Sequence, residues 1–391
     1  MYYNVKENEK RIEKLQQLLA AHKLDYAFVY YDELNIANGW YLTGWCPQFE
    51  SGAVFVPQKG EPVLLGGPES EPFAKQSSAV KDTKNFTAFM VPDEEYPNAT
   101  IIGFPDLFKE IEDKLIHKKI GVVGLDKMPY YLHEQISAGF KGIELVDITE
   151  EFLKFRCYKS DWEVEQISKS FRICDDAYKA MTAAVKPGVM EIEVAAEGEA
   201  VCRRAGANGF AYQTIVGSGE RANAVVPTAT DKAMVDGEMV MLGIAPRING
   251  YAGTFGHTVP VSGKYSDEQR QCLKDMVEVL FDVKAALKIG AVGKELDAAG
   301  RKLYIKGGYL KYMVCPFAHT IGLMEAEAPF FGPNSTDVLC ENMTVCVDVS
   351  FFGHPQFNGL RVETGYVITK DGPKPLSPFM ESEFQKILME G

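Results

Sequence analysis

Two neighbouring stretches decide how this chain is read: Met343–Thr364, MTVCVDVSFFGHPQFNGLRVET, and Cys315–Pro329, CPFAHTIGLMEAEAP. They bring His319, Glu325, Glu327, Asp348, His354 and Glu363 within one short span. Most of these lie inside or beside apolar, strand-like runs, where an unpaired charge costs several kcal/mol, roughly. Such groups persist if they neutralise one another, hold a metal, or meet a charged ligand. The rest of the chain reads as scaffolding for this cluster.

Working outward, 391 residues exceed what one hydrophobic core organises, so two domains are expected, 1–152 and 153–391. The first half alternates. An amphipathic helix over 7–23 precedes the strand YAFVYY and a hairpin turning at Gln58-Lys59-Gly60-Glu61. Helical patterns at 71–78 and 105–118 and strands KIGVVGL and IELVDI complete an α/β unit without a glycine-rich phosphate loop. The second half pairs helices (about 161–185 and 190–205, then 266–288 and 294–306) with strands that include a hairpin at Asn249-Gly250. This is an α+β layer.

Acidic residues outnumber basic ones, 54 to 41, which argues against a nucleic-acid or anionic-membrane partner. No run approaches the roughly 18 apolar residues of a membrane span, and the charged opening MYYNVKENEKRIEKL points to the cytoplasm. The eight cysteines show no CxxC pair and read as reduced thiols, mostly in apolar settings.

Several motifs then occur in a telling order. They are Lys159-Ser160 with Glu163, Lys186-Pro187-Gly188, Gly217-Ser218-Gly219, Asp236-Gly237-Glu238, Asn249-Gly250-Tyr251, His319–Gly322, Glu327-Ala328-Pro329, Gly359-x-Arg361-x-Glu363 and Asp371-Gly372-Pro373. From about Lys159 to Pro378 the chain resembles the pita-bread family of creatinase, prolidase and aminopeptidase P. The first 150 residues are similar to the creatinase/prolidase N-terminal domain. The resemblance implies a C-terminal pita-bread catalytic domain, an α/β creatinase-type N-terminal domain, and a homodimer.

The family's metal-dependent peptidases hold two ions with two Asp, one His and two Glu. By the resemblance, the aspartates fall at Gly243 and Thr254, the His at His319, one Glu at Asp348 and the other at Glu363. Creatinase, the family's metal-free hydrolase, is resembled in keeping the C-terminal groups without the aspartates. Its proton-shuttling His would fall at Val226, so creatine itself is not the expected substrate. Ectoine hydrolase is a comparable resemblance.

The leading expectation is therefore a metal-independent hydrolase of a C–N bond in a small polar nitrogen compound, with no metal and no cofactor. Its catalytic residues would be His319, Asp348 and Glu363: two facing carboxylates supply an acid and a base, and the imidazole moves a proton near neutral pH. His257, at a position usually Arg in the peptidases, is expected to contact substrate and give a proton to the leaving nitrogen. Glu327 matches the acid of the family's HEAP-like motif, with Ala326 replacing the His before it. Arg361 is a counter-charge or a carboxylate clamp, and Phe49, with Trp45 and Glu50, would reach a neighbouring subunit's site. Glu325 is expected to be a solvated neighbour and His354 a rim residue, while Phe330, Phe331, Phe351 and Phe352 would keep water out. Two alternatives stay open: an Xaa-Pro aminopeptidase or dipeptidase with a degenerate metal site, and a non-catalytic small-molecule-binding protein of the same fold.

Overall fold

The computed structural model describes residues 3–389. The chain forms two compact units, Met1–Arg156 and Cys157–Gly391.

In the first unit, seven strands form one sheet in the order Ile101–Ile102, Thr83–Phe86, Val63–Gly66, Gly52–Pro57, Tyr26–Tyr31, Lys119–Val123, Glu144–Asp147. The YAFVYY strand is buried along its whole length, as a central strand covered on both faces must be. It pairs antiparallel with Gly52–Pro57 and parallel with Lys119–Val123. Phe28, Phe86, Phe89, Phe104 and Phe140 pack into one aromatic cluster against this sheet. Two short helices are not anticipated from sequence: Ala37–Thr43, which is buried on nearly every side, and Tyr130–Gly139, whose buried stripe is only Leu132, Ile136 and Gly139.

The second unit is built on an antiparallel sheet. We label its strands β1 (Ile215–Ser218), β2 (Met239–Ile244), β3 (Phe255–Pro260), β4 (Ala318–Thr320), β5 (Glu327–Phe330), β6 (Thr344–His354), β7 (Asn358–Thr369) and β8 (Gly372–Pro375). Their order is β5-β4-β6-β7-β3-β2-β1, with β8 on the free side of β7's C-terminal half. Helices α1 (Asp161–Ala184), α2 (Glu191–Arg204), α3 (Asp267–Ala286), α4 (Gly293–Gly307) and α5 (Pro378–Met389) complete it. α1 starts at Ser160, whose hydroxyl accepts from the Glu163 N–H while the Glu163 carboxylate accepts from the Ser160 N–H. α3 begins with the same reciprocal cap at Ser266 and Gln269.

Period-two geometry divides every strand of this sheet into two faces. Val240, Leu242, Ile244, Phe255, Val345, Val347, Val349, Phe351, Leu360 and Val362 point to the helices and form the main core. Met241, Gly243, Gly256, Asp348, Ser350, Arg361 and Glu363 alternate with them and point the other way. That second face holds the polar cluster.

Candidate active site

Register fixes which acids meet. On β6 and β7, Asp348 lies directly across from Glu363 and Ser350 across from Arg361, while Gly256 of β3 faces Glu363 from the other side. Two like charges directly opposite destabilise a strand pair unless a counter-charge intervenes. Arg361 supplies it: its Nε lies 3.2 Å from Asp348 Oδ1, and both residues are more than nine-tenths buried.

A cavity of about 240 Å³ opens over this face, bounded by Tyr212, Val225, Val226, His319, Phe330 and the acids. His319 Nδ1 donates to the Thr320 carbonyl at 3.1 Å, which in the neutral imidazole leaves the Nε2 lone pair facing inward. Nε2 lies 3.8 Å from Glu325 Oε1 and 3.9 Å from Glu363 Oε1. Glu363 Oε1 is buried without a hydrogen-bond partner. Burial, reinforced by the charges of Asp348 and Glu325, pushes the Glu363 carboxyl well above the usual range, and burial lifts Glu325 to about 7.

The mouth is held from behind. Glu191, fully buried at the start of α2, accepts from the backbone N–H and hydroxyl of Ser218, from Arg221 Nε and from the Thr230 hydroxyl, all within 3.0 Å. Those four bonds pin both ends of the segment that carries Val225 and Val226 to the cavity. Burial works against ionisation of Glu191, yet the donors outweigh it and hold the group below its ordinary value.

Of the residues singled out from sequence, His319, Asp348, Glu363 and Arg361 come together around the cavity. Glu325, expected to be a solvated neighbour, is part of the same cluster. The turn between β4 and β5 folds it inward, a placement that no strand or helix period encodes. Tyr212 was overlooked as well.

His257 is a correction. It lies one residue past Gly256, so the pleat turns it to the helix face, where its Nδ1 meets the Tyr178 hydroxyl at 3.0 Å and its ring packs edge-on against Phe384. Burial lowers its pKa to about 4. Because the unfolded histidine titrates near 6.5, stability is complete above that pH and is lost as pH falls towards 4, by about 2 kcal/mol at pH 5. Urea unfolding at pH 7.5 and pH 5 should show this loss in the wild type and not in His257→Gln.

Glu327 is not in the cavity lining; it pairs with Lys159 at 3.0 Å in a nearly dry setting. Phe49 belongs to the N-terminal unit and is 87% exposed there. Of the four phenylalanines expected to wall the site, Phe330 alone lines the cavity, since Phe331 and Phe351 join the helix-side core and Phe352 packs with Met241 and Ala222.

Residues 165–370 match the model of metallopeptidase family M24, and residues 11–158 match the creatinase/prolidase N-terminal domain. The chain belongs to metallopeptidase family M24, and by that membership it is a hydrolase of the aminopeptidase P-like, pita-bread type. An Xaa-Pro dipeptidase of Pyrococcus furiosus is 27% identical over 94% of this chain and 98% of its own length. An uncharacterised peptidase of Bacillus subtilis is 32% identical, over 64% of this chain and 71% of its own length. Among solved structures, the prolidase from Pyrococcus horikoshii OT3 is similar at a TM-score of 0.80 with 23% identity, covering 94% of this chain and 97% of that one. The X-Pro aminopeptidase from Thermotoga maritima gives 0.81 with 24% identity over the same shares of the two chains.

These relatives overturn the expectation of a metal-independent, creatinase-like hydrolase. Carboxylates are missing at Gly243 and Thr254, but the fold adds Glu325 to His319 and Glu363.

The family implies metal, and the residues present fit one ion rather than two. A Cβ at Gly243 would lie 3.1 Å from the Phe255 carbonyl oxygen and 3.3 Å from both Ile215 Cδ1 and Tyr212 Oη. Tyr212 Oη is also 2.9 Å from Thr254 Oγ1, so a phenol fills the space between the two positions where aspartates would stand. The donor atoms of His319, Glu325 and Glu363, by contrast, all lie within 4.8 Å of one another. Bonds of about 2.0–2.2 Å to a common ion separate its ligands by roughly 3–4 Å, which small side-chain adjustments reach.

Proposed function

We propose that this protein hydrolyses the C–N bond of short Xaa-Pro-type peptides with a reduced metal set. What carries the reading is the cavity that gathers His319, Glu325 and Glu363 beside the Asp348–Arg361 pair, in a chain whose full-length relatives are Xaa-Pro dipeptidases. A divalent ion held by His319, Glu325 and Glu363 would polarise the scissile carbonyl and acidify a bound water. Arg361, fixed by Asp348, presents its guanidinium to the cavity and holds the free carboxylate of a dipeptide. Tyr212 offers a neutral hydroxyl donor. Val225, Val226, Ile215 and Phe330 form an apolar wall that suits a proline ring and keeps water from the polar groups.

Cytoplasmic residence and a homodimer belong to the same proposal. The eight free cysteines support the first. Light scattering tests the second, with an expected mass twice the 43.4 kDa of the chain.

The deciding assay incubates chelator-stripped protein with Mn²⁺, Co²⁺ or Zn²⁺ and a panel of Xaa-Pro dipeptides and X-Pro tripeptides. Metal-dependent release of the N-terminal residue supports the proposal. If no member is cleaved with any ion, and the same compounds still raise the melting temperature, the alternative of a non-catalytic small-molecule-binding protein replaces it.

A further inference from the structure

We propose that Glu325 takes over from the missing aspartates as the third ligand of a single-cation site with His319 and Glu363, and that Tyr212 closes the position a second ion would need. The inference deepens the metal set assumed above, but it stands on geometry and charge and does not depend on which substrate is cleaved.

Three observations converge. Glu363 is 2% exposed, and its Oε1 faces the cavity with no hydrogen-bond partner. A buried acceptor in that condition awaits a cation or a donor. Next, His319 spends Nδ1 on a backbone carbonyl, which aims the ligating nitrogen at both glutamates, at 3.8 and 3.9 Å. Finally, a count of charges limits how many ions the cavity can hold. Asp348, Glu325 and Glu363 face the single guanidinium of Arg361, so with the acids ionised two negative charges are left over. One divalent cation closes that balance; two would overshoot it. Asp348 stands apart from these ligands: its oxygens are not among the donor atoms that lie within 4.8 Å of one another, and its charge faces Arg361 Nε at 3.2 Å.

The second-ion position is closed chemically as well as sterically. Two hydroxyls, Tyr212 and Thr254, bond to each other there, and neutral oxygens that are already paired do not replace two carboxylates around a dication. Burial keeps the Tyr212 phenol protonated throughout the working pH range.

The test is direct. Chelator-stripped protein is titrated with Mn²⁺ by calorimetry, and free Mn²⁺ is followed by its electron paramagnetic resonance signal. One ion per chain is expected. Glu325→Gln and His319→Ala should each weaken binding at least tenfold. Glu325→Asp, which keeps the charge on a shorter arm, should weaken it less. His354→Gln should leave it unchanged, since the His354 ring packs among Tyr312, Phe351 and Phe357 and does not line the cavity. Melting curves of each variant without metal establish that it is folded. Two ions per chain, no saturable uptake, or an unaltered affinity in folded Glu325→Gln overturns the proposal. One bound Mn²⁺ without Xaa-Pro turnover upholds this site and rejects the substrate class, whereas turnover without saturable uptake does the reverse.

Discussion

Turnover of an Xaa-Pro dipeptide is expected to fall at least about a thousandfold in Glu363→Gln, which corresponds to roughly 4 kcal/mol of lost transition-state stabilisation. The amide keeps the size and shape of the side chain but removes the charge that faces the His319 nitrogen at 3.9 Å. Stability should move the other way. Glu363 is buried across a strand pair from Asp348 and beside Glu325, and its ionised form is disfavoured by both neighbours. Removing that charge should leave the melting temperature equal to or above that of the wild type, the pattern of an active-site residue retained at a cost to the fold. Steady-state kinetics together with a melting curve checks both halves. Near-normal turnover in the variant would take Glu363 out of the reaction.

The largest effect on stability is expected at Lys159. Its ammonium and the Glu327 carboxylate lie 3.0 Å apart with side-chain exposures of 1% and 6%. Replacing Lys159 with methionine leaves a buried carboxylate without its cation, and one-sided removals of this kind cost about 3–5 kcal/mol. The double variant Lys159→Met/Glu327→Leu removes both charges and should recover most of that loss, since a well-packed apolar pair often matches a buried ion pair. Urea unfolding of the C-terminal unit in the three proteins decides the matter. A Lys159→Met variant as stable as the wild type would show that the pair contributes nothing. Gly322 reports on the same spot: a Cβ there would fall 2.2 Å from Glu327 Oε1, so Gly322→Ala should destabilise by displacing the pair.

These residues also show what the sequence made legible and where it stopped. Asp348, Arg361 and Glu363 could be assigned to one face because they sit in long apolar strands, where alternation leaves no freedom. The same alternation, applied to Thr254-Phe255-Gly256-His257, would have sent His257 to the core. At His257 the pleat, and not the motif position, decides the side chain's direction. Glu325 posed a different problem. It lies in a turn between two short strands, and its position exists only once β4 and β5 have paired. Tyr212 likewise reaches the cavity from an irregular stretch between Gly209–Phe210 and β1. In the N-terminal unit the long buried strands were legible, whereas short helices such as Ala37–Thr43 were not, because seven residues are too few to show a period.

The hydroxyl pair of Tyr212 and Thr254 has a consequence for how a guest sits. Strand order puts these oxygens towards β1–β3, whereas the imidazole, the carboxylates and the guanidinium of the cavity come from β4, the β4–β5 connection, β6 and β7. One flank is therefore uncharged at any pH the protein meets, and the other holds all the field. A pocket so polarised acts on a zwitterion like a magnet on a compass needle: a small peptide with an ammonium at one end and a carboxylate at the other has one heading that lowers its energy. Orientation is in this way settled by the asymmetry of the walls before any bond to the guest is made.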